Sequence, residues 1–250
     1  MKHGFIIPVY RHGQTACIVA EKLLVFNLPV ILIDDGNDNE TKKTLQEFVS
    51  KTKGIRVTRL ERNSGKGGAV IKGIETAKEL GLTHVLQIDA DGQHDDSKVS
   101  FFLEESKKYP DKIICGYPEF DVSVPKSRLH GRKISNFWAA VVTVSGELKD
   151  VLCGFRVYPV DITYHITRSP FIDKRMGFDP EILVRLYWKK IYPVFHPIKV
   201  IYPEGGISNF NAVRDNIRIS WMFSRLCIGM FIRFPLLITR KIIRRKKNHE

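Results

Sequence analysis

The sequence has little cysteine and lacks the cysteine spacings that mark a cross-linked scaffold. Its 250 residues contain four cysteines, at positions 17, 115, 153 and 227, and no CxxC pair. We therefore expect neither a disulfide framework nor a zinc ribbon. The N-terminal segment also lacks a long apolar core followed by a small-residue cleavage site. A secretory signal is thus not predicted, and a reducing, cytoplasmic setting is the expectation.

Long apolar runs, internal repeats and low-complexity linkers are missing as well. The uncharged runs near the C-terminus fall short of the ~18 residues that cross a bilayer. Disorder is excluded in turn, because hydrophobic residues make up 43% of the chain. The length suits one large domain or two small ones. Since no linker interrupts it, we predict one catalytic domain over residues 1–213, followed by a basic tail over residues 214–250.

Positive charge is abundant and uneven. The formal net charge is +13, and residues 214–250 contribute +8 of it. Such a tail can serve nucleic acid, an anionic membrane or solubility. Its arginines alternate with Ile, Leu, Phe and Met, which favours amphipathic helices in a membrane interface, with residues 244–247 against anionic head groups. Alternatively, these apolar residues pack on the domain. Nucleic acid is not an expected partner.

Two hydrophobic periods alternate along the first 120 residues. Apolar strand-like runs lie at 5–10, 30–33, 55–60, 85–88 and 112–115, and helical patterns lie at 14–26, 40–51, 67–80 and 95–108. Further along, we predict helices at 128–144 and 180–190, a turn leading into a strand over 150–158, and a strand at 198–202. The pattern predicts an α/β fold with a mostly parallel sheet covered by helices on both faces. Polar and glycine-rich segments follow the strands, where such sheets bind ligands.

The segment DADGQH at 89–94 follows a predicted strand directly. Alternate residues of an extended segment point to one side, so Asp89, Asp91 and Gln93 could converge on one cation. Carboxylate and amide oxygens suit Mg²⁺ or Mn²⁺, which in proteins often also binds a substrate diphosphate. The alternative is a solvated turn in which Asp95 caps a helix.

Two further segments stand at strand ends. Asp34 and Asp35 precede a glycine, and either carboxylate could accept hydrogen bonds from a nucleobase or ribose, although Asp and Gly also form plain turns. The glycine-rich segment at 63–69 could approach a phosphate, with Lys66 adding charge. Its glycine and Ser/Thr positions do not match a P-loop, so an ATPase is not indicated, and a glycine-rich helix start is the alternative.

In combination, these motifs resemble one family. IPVY at 7–10, IDDG at 33–36, NSGKGGAVIKG at 63–73 and DADGQH at 89–94 are similar to segments of the family 2 glycosyltransferases, above all the polyprenol-phosphate sugar transferases. The resemblance implies a GT-A fold and transfer with inversion. It implies that Pro8, Tyr10, Asp34 and Asp35 line a nucleoside pocket with Lys66 and Ala90. Asp89, Asp91 and Gln93 would hold Mg²⁺ or Mn²⁺ on the donor diphosphate.

Thinner similarities extend into the second half. DVLCGFR at 150–156 and the segment around Arg132 resemble acceptor-side segments, so Arg128, Arg132 and Arg156 would meet an acceptor phosphate. Surface arginines are the alternative. Glu181 resembles an acidic position of the family, and Ser208 resembles part of a segment that closes over the donor.

The resemblance implies a reaction with two substrates. A GDP- or UDP-sugar would be the donor, and a lipid, lipid phosphate or other membrane-associated molecule would be the acceptor. A phosphate acceptor is already anionic, whereas a hydroxyl acceptor needs a base, for which Asp150 and Glu181 are the candidates. A nucleotidyltransferase and a non-enzymatic basic binding protein remain the alternative functions. The expected location is peripheral, on the cytoplasmic face of a membrane.

Overall fold

The computed structural model describes residues 1–120, 124, 126–200 and 211–247, with the backbone alone for 126–128 and 245–247. The expectations for Ser208 and for the side chain of Arg128 lie outside the described residues.

One sheet organises the fold. Its seven strands are β1 (His3–Val9), β2 (Val30–Asp34), β3 (Ile55–Arg59), β4 (His84–Gln87), β5 (Ile113–Glu119), β6 (Arg156–Pro159) and β7 (Pro193–Lys199). Their spatial order is β3-β2-β1-β4-β6-β5-β7. Strand β6 pairs antiparallel with β4 and β5, and the other pairings are parallel. The predicted mostly parallel sheet is confirmed.

In the described part of the chain, eight α-helices connect and cover these strands. They are α1 (Gly13–Leu23), α2 (Asn39–Lys51), α3 (Lys66–Glu79), α4 (Val99–Lys108), α5 (Lys126–Thr143), α6 (Val160–Thr167), α7 (Phe178–Trp188) and α8 (Ala212–Lys247). Helix α6 was not predicted, and β7 begins five residues before the predicted strand at Ile198. Pro193 and Pro197 obscure that strand in the sequence, and the structure places it at the sheet edge, where proline is tolerated.

Alternate residues of the central strands enter two separate cores. Phe5 and Ile7 pack with residues of α1 and α4, whereas Ile6 packs with α3, α7 and α8. This alternation follows from the period of two along a strand. Because both faces are buried, the strands read as continuous apolar runs, and the prediction of helices on both faces is confirmed.

Helix α8 has two different faces. Met222, Phe223 and Leu226 are buried in the core that also contains residues of α5 and α7. On other sides of the helix, Trp221 and Phe231 are 67% and 71% exposed. The expected boundary after residue 213 falls inside this helix, which is one helix containing Pro235 rather than several. Within the described part of the chain, no helix has the length and hydropathy of a membrane span.

A histidine pair lies at the amino ends of the neighbouring strands β1 and β4. The His3 and His84 rings lie 5.4 Å apart, and the Nε2 of His3 is 2.8 Å from the Oγ of Ser106. Burial lowers the pKa of His3 to about 4, with further lowering from His84, Lys107 and the N-terminus and an opposing effect of Glu104. Burial also lowers the pKa of His84.

We therefore expect the free energy of unfolding to fall as the pH drops from about 6.5, the ordinary histidine pKa, towards the lowered value in the folded protein. Over this range the unfolded chain binds more protons than the folded one. Urea unfolding at a series of pH values measures the loss, and His3→Gln should flatten it. An equally steep loss in that variant would contradict the assignment.

Candidate functional site

The polar segments that follow β1 to β4 meet around one cavity at the carboxyl edge of the sheet. The cavity has a volume of about 690 Å³, within the usual range of ligand pockets. Tyr10, Asp35 and Asp91 line it from the strand ends. Helices α5 and α8 and the residues Arg175 and Met176 line it from the other side. Residues of the four strand-end segments and residues of α5 and α8 therefore line the same cavity.

Asp35 joins the turn after β2 to the glycine-rich loop. Its carboxylate accepts hydrogen bonds from the Ser64 and Gly65 amides at 2.6 and 3.0 Å and from the Nδ2 of Asn63 at 3.0 Å. Burial raises the pKa of Asp35 above its ordinary value, although both amides act to lower it. The loop lies so close that a Cβ on Gly36 would stand 2.4 Å from the backbone of Arg62 and Asn63.

Asp89, Asp91 and Gln93 all line the cavity, as the spacing predicts. The backbone N–H of Gln93 donates a 3.0 Å hydrogen bond to the Oδ1 of Asp91. The Oδ1 of Asp89 is buried and has no hydrogen-bond partner among the residues that the structure describes. A buried carboxylate oxygen without a donor is a ready cation ligand, so this set fits a hard divalent ion.

The donor set is small. No three His, Cys, Asp or Glu residues cluster as a metal site in the described ranges. Two carboxylates and one amide would hold the ion, and the remaining positions would fall to water or substrate oxygens, as Mg²⁺ prefers.

Lys66 lies on the cavity floor at the start of α3. Its Nζ is 2.9 Å from the Oδ2 of Asp89 and 2.9 Å from the Oδ2 of Asp179. Burial opposes the charge on Lys66, but Asp179 and Asp89 outweigh it and raise its pKa. Burial likewise acts to raise the pKa of Asp89, but Lys66 and His94 outweigh it and lower that pKa. Both groups are therefore charged at neutral pH.

Among the described residues, four arginines line the cavity on the side of α5 and α8, and we call this side the arginine wall. Arg132 of α5, Arg175, and Arg214 and Arg218 of α8 line the cavity. The Nη1 of Arg132 donates to the Oδ2 of Asp150 at 2.5 Å, while the Oδ1 of Asp150 accepts from the Leu152 and Cys153 amides at 3.0 and 2.7 Å. Asp150 is buried, and both of its oxygens have partners. It therefore orients Arg132 instead of standing as an available base.

Besides Asp150, three predicted site residues do not line the cavity. Arg156 is fully buried and donates to the carbonyls of Asp179 and Val151, so it does not face an acceptor. Glu181 is also fully buried and is bound by Arg185, Arg225 and a backbone amide, so it is not a free base. Asp34 is paired with Arg59 and Asn37, beneath the turn that presents Asp35.

Other residues that the sequence singles out are part of the cavity lining. Pro8, Tyr10, Asp35, Lys66 and Ala90 line the cavity. The sequence gives no local signal for Arg175, which lies in an irregular segment and donates from its Nη1 to the Oδ1 of Asn63 at 2.9 Å. The sequence likewise gives no local signal for Asp179, which is linked to the site only by its contact with Lys66. Arg214 and Arg218 fall within the predicted tail, and their i, i+4 spacing is the signal in the sequence that places them on a shared helix face.

Comparisons with known proteins identify the family of this chain. The sequence model described as glycosyl transferase family 2 matches residues 5–167. A dolichyl-phosphate beta-glucosyltransferase of Dictyostelium discoideum is 30% identical over 66% of this chain and 52% of its own length. The chain thus spans about half of that relative. A UDP-N-acetylglucosamine–dolichyl-phosphate N-acetylglucosaminyltransferase of Methanococcus voltae is 25% identical over 90% of this chain and 95% of its own length.

A solved structure matches the fold. Glucosyl-3-phosphoglycerate synthase from Mycobacterium tuberculosis, crystallised with Mn²⁺, UDP-glucose and phosphoglyceric acid, superposes with a TM-score of 0.61 at 13% identity. The match covers 92% of this chain and 78% of that one. The predicted GT-A fold is confirmed, and the chain belongs to glycosyl transferase family 2.

Proposed function

We propose that this protein transfers a sugar from a GDP- or UDP-sugar to a lipid-phosphate acceptor at a membrane surface, with inversion at the anomeric carbon. The observation that carries the proposal is that one cavity has two different walls: carboxylates and Lys66 at the strand ends, and the arginine wall on the side of α5 and α8. Relatives named for transfer to dolichyl phosphate support this class of acceptor.

The strand-end wall suits the donor. Pro8 and Tyr10 flank the space for the nucleoside, and Asp35 offers an acceptor oxygen to its base or ribose. Asp89, Asp91 and Gln93 would hold Mg²⁺ or Mn²⁺ beside the donor diphosphate. When bound, such an ion neutralises the nucleoside diphosphate as the bond to the sugar breaks. Lys66 adds a positive charge next to Asp89.

The arginine wall suits an anionic acceptor. A guanidinium offers a planar pair of donors to phosphate, and Asp150 holds that of Arg132 in place. A phosphate oxygen is already a nucleophile and needs no strong base. Asp150 and Glu181, the two carboxylates considered as bases, are both engaged by arginines, which supports a phosphate over a hydroxyl acceptor. Attack from the arginine side, opposite the leaving diphosphate, inverts the anomeric carbon.

The test is product analysis with the full-length protein. A short-chain prenyl phosphate is incubated with GDP- and UDP-sugars, in Mn²⁺ or in EDTA, and the unphosphorylated prenol serves as the control acceptor. We expect free nucleoside diphosphate and a prenyl-phosphate sugar of inverted anomeric configuration. Both products should form in Mn²⁺ and neither in EDTA. Release of pyrophosphate would instead indicate a nucleotidyltransferase, and equal transfer to the prenol would contradict the arginine wall's role.

We also propose that residues 214–250 attach the protein peripherally to an anionic membrane, on its cytoplasmic face. The exposed side of α8 carries Trp221, Phe231 and Ile232, and α5 exposes Phe137 and Trp138 beside it. Apolar side chains interleaved with arginines are typical of helices in a membrane interface. Since α5 and α8 also line the cavity, an acceptor head group would meet the arginine wall at the membrane surface.

Replacing Trp221, Phe231 and Ile232 together by serine should reduce binding to anionic vesicles by roughly tenfold or more, because each removes buried apolar area from the bound state. Their high exposure means that thermal unfolding should barely change. Sedimentation with phosphatidylglycerol vesicles measures the binding. The matched control replaces Ile18 and Val25, which are exposed on another surface, and should bind as wild type does. Truncation before α8 is no substitute, because it deletes core residues such as Met222.

A further inference from the structure

Asp179 and Lys66 form a buried contact that the proposed reaction does not use directly. Asp179 is the second residue of α7 and is 5% exposed. Its Oδ2 lies 2.9 Å from the Nζ of Lys66, which lies at the same distance from Asp89. One ammonium group is thus shared between a carboxylate that faces the cavity and a carboxylate behind it.

The two carboxylates each have an unused oxygen. The Oδ1 atoms of Asp89 and Asp179 are buried, and neither finds a hydrogen-bond partner in the part of the chain that the structure describes. The same holds for the Nε2 of Gln87. Leaving such groups buried and unpaired is costly. The cluster therefore has capacity to accept a further cation or to shift its lysine between partners.

Gly154 packs directly against this cluster. A Cβ built on it would stand 2.7 Å from both the Nζ of Lys66 and the Nε2 of Gln87, and 3.1 Å from the Oδ1 of Asp89. Any side chain there would displace the lysine or the amide. The absence of a side chain at this position therefore keeps the Lys66 ammonium close to Asp89.

We propose that Lys66 is a built-in competitor of the divalent cation and that Asp179 is the positioning residue that receives it. The inference rests on the proposed function. Without a donor, the Lys66 ammonium neutralises Asp89. When a divalent ion arrives with a diphosphate, the ammonium moves fully onto Asp179 and leaves Asp89 to the ion. Two like charges a few ångströms apart repel strongly, so the protein without nucleotide should bind the ion weakly.

The test measures Mn²⁺ binding to the nucleotide-free protein by electron paramagnetic resonance. Lys66→Met should bind Mn²⁺ at least about tenfold more tightly, because the competing charge is gone. Asp179→Asn should bind it several-fold more weakly, because the lysine keeps Asp89 as its only carboxylate partner. Lys72→Met, which removes a lysine of the same helix that pairs with Glu75, is the control and should match wild type.

A loss of folding would lower Mn²⁺ affinity in both variants, so opposite shifts are the signature of competition. Unchanged or weaker binding in Lys66→Met overturns the proposal, as does unchanged or tighter binding in Asp179→Asn. Wild-type binding of Mn²⁺ together with UDP or GDP is measured in parallel. If that binding is normal while Lys66→Met gains nothing, this inference fails and the proposed function stands.

A thermodynamic cycle tests the contact itself without any metal. Urea unfolding is measured for Lys66→Met, Asp179→Asn and the double variant. Residues in contact give non-additive changes in the free energy of unfolding. We expect the double variant to lose clearly less than the sum of the two single losses. Additive losses would overturn the assignment of Asp179 as the partner of Lys66, whatever the outcome with Mn²⁺.

Discussion

Asp91→Asn should lower the rate of sugar transfer by about 10²–10³-fold, the scale on which removing one preorganised electrostatic contact acts. Asp91 lines the cavity together with Asp89, and its side chain also accepts a hydrogen bond from the backbone N–H of Gln93. Asparagine keeps the shape and this acceptor but removes the negative charge proposed to face the ion. The loss should therefore appear in turnover and in Mn²⁺-dependent nucleotide binding, with little change in thermal unfolding.

A nearby carboxylate provides the control. Asp96 forms a surface ion pair with Lys22 at 2.7 Å, and such pairs contribute at most about 1 kcal/mol. Asp96→Asn should transfer sugar at the wild-type rate. Full transfer by folded Asp91→Asn, or transfer in EDTA equal to that in Mn²⁺, would refute the proposed metal site.

Glu181→Gln should lower the free energy of unfolding by roughly 3 kcal/mol, as expected when one partner of a buried ion pair loses its charge. The Oε1 of Glu181 accepts from the Nε and Nη2 of Arg185 at 2.8 and 2.6 Å. Its Oε2 accepts from the Asp173 amide and from Arg225, which belongs to α8. The glutamate thus joins α7 to α8, and neutralising it leaves two arginines without their counter-charge.

An exposed pair separates this effect from a general loss of charge. Glu147 pairs with Arg244 of α8 at the surface, so Glu147→Gln should change stability by less than about 1 kcal/mol. Urea unfolding of both variants gives the comparison. If Glu181 were a catalytic base, its variant would lose turnover at unchanged stability. We expect the reverse, with turnover per folded molecule close to wild type.

The strand-end half of the site was predictable because two local patterns coincide there. Hydrophobic runs locate the strands, and the polar residues just after them must lie at one edge of a parallel sheet. Asp35, Lys66, Asp89 and Asp91 therefore line one cavity. Their partners were not predictable, since the contact between Lys66 and Asp179 joins residues far apart in the sequence and no periodicity encodes it.

On the side of α5 and α8, the sequence identifies arginines but does not show which of them are buried. Arg156 was expected to meet a phosphate, yet backbone carbonyls bind it in the interior. Arg175 comes from an irregular segment and was not expected at all. The tail sequence suggests either packing on the domain or an exposed apolar surface, and α8 has both, because one face is buried and other faces are exposed. Composition gives the number of apolar residues but not the face each occupies.

The reversed strand β6 has a consequence for how substrate preference could change. Arg156 at the start of β6 pairs with Gln87 at the end of β4. The segment before β6 therefore lies at the same edge of the sheet as the segments that follow the parallel strands. Leu152 of this segment and Arg132 of α5 lie on one side of the cavity, whereas the segments after β1 to β4 form the other. Under the proposed assignment, the determinants of the two substrates occupy separate stretches of the chain. Mutations near α5 and β6 would then change the acceptor preference and leave the residues that bind the donor unchanged.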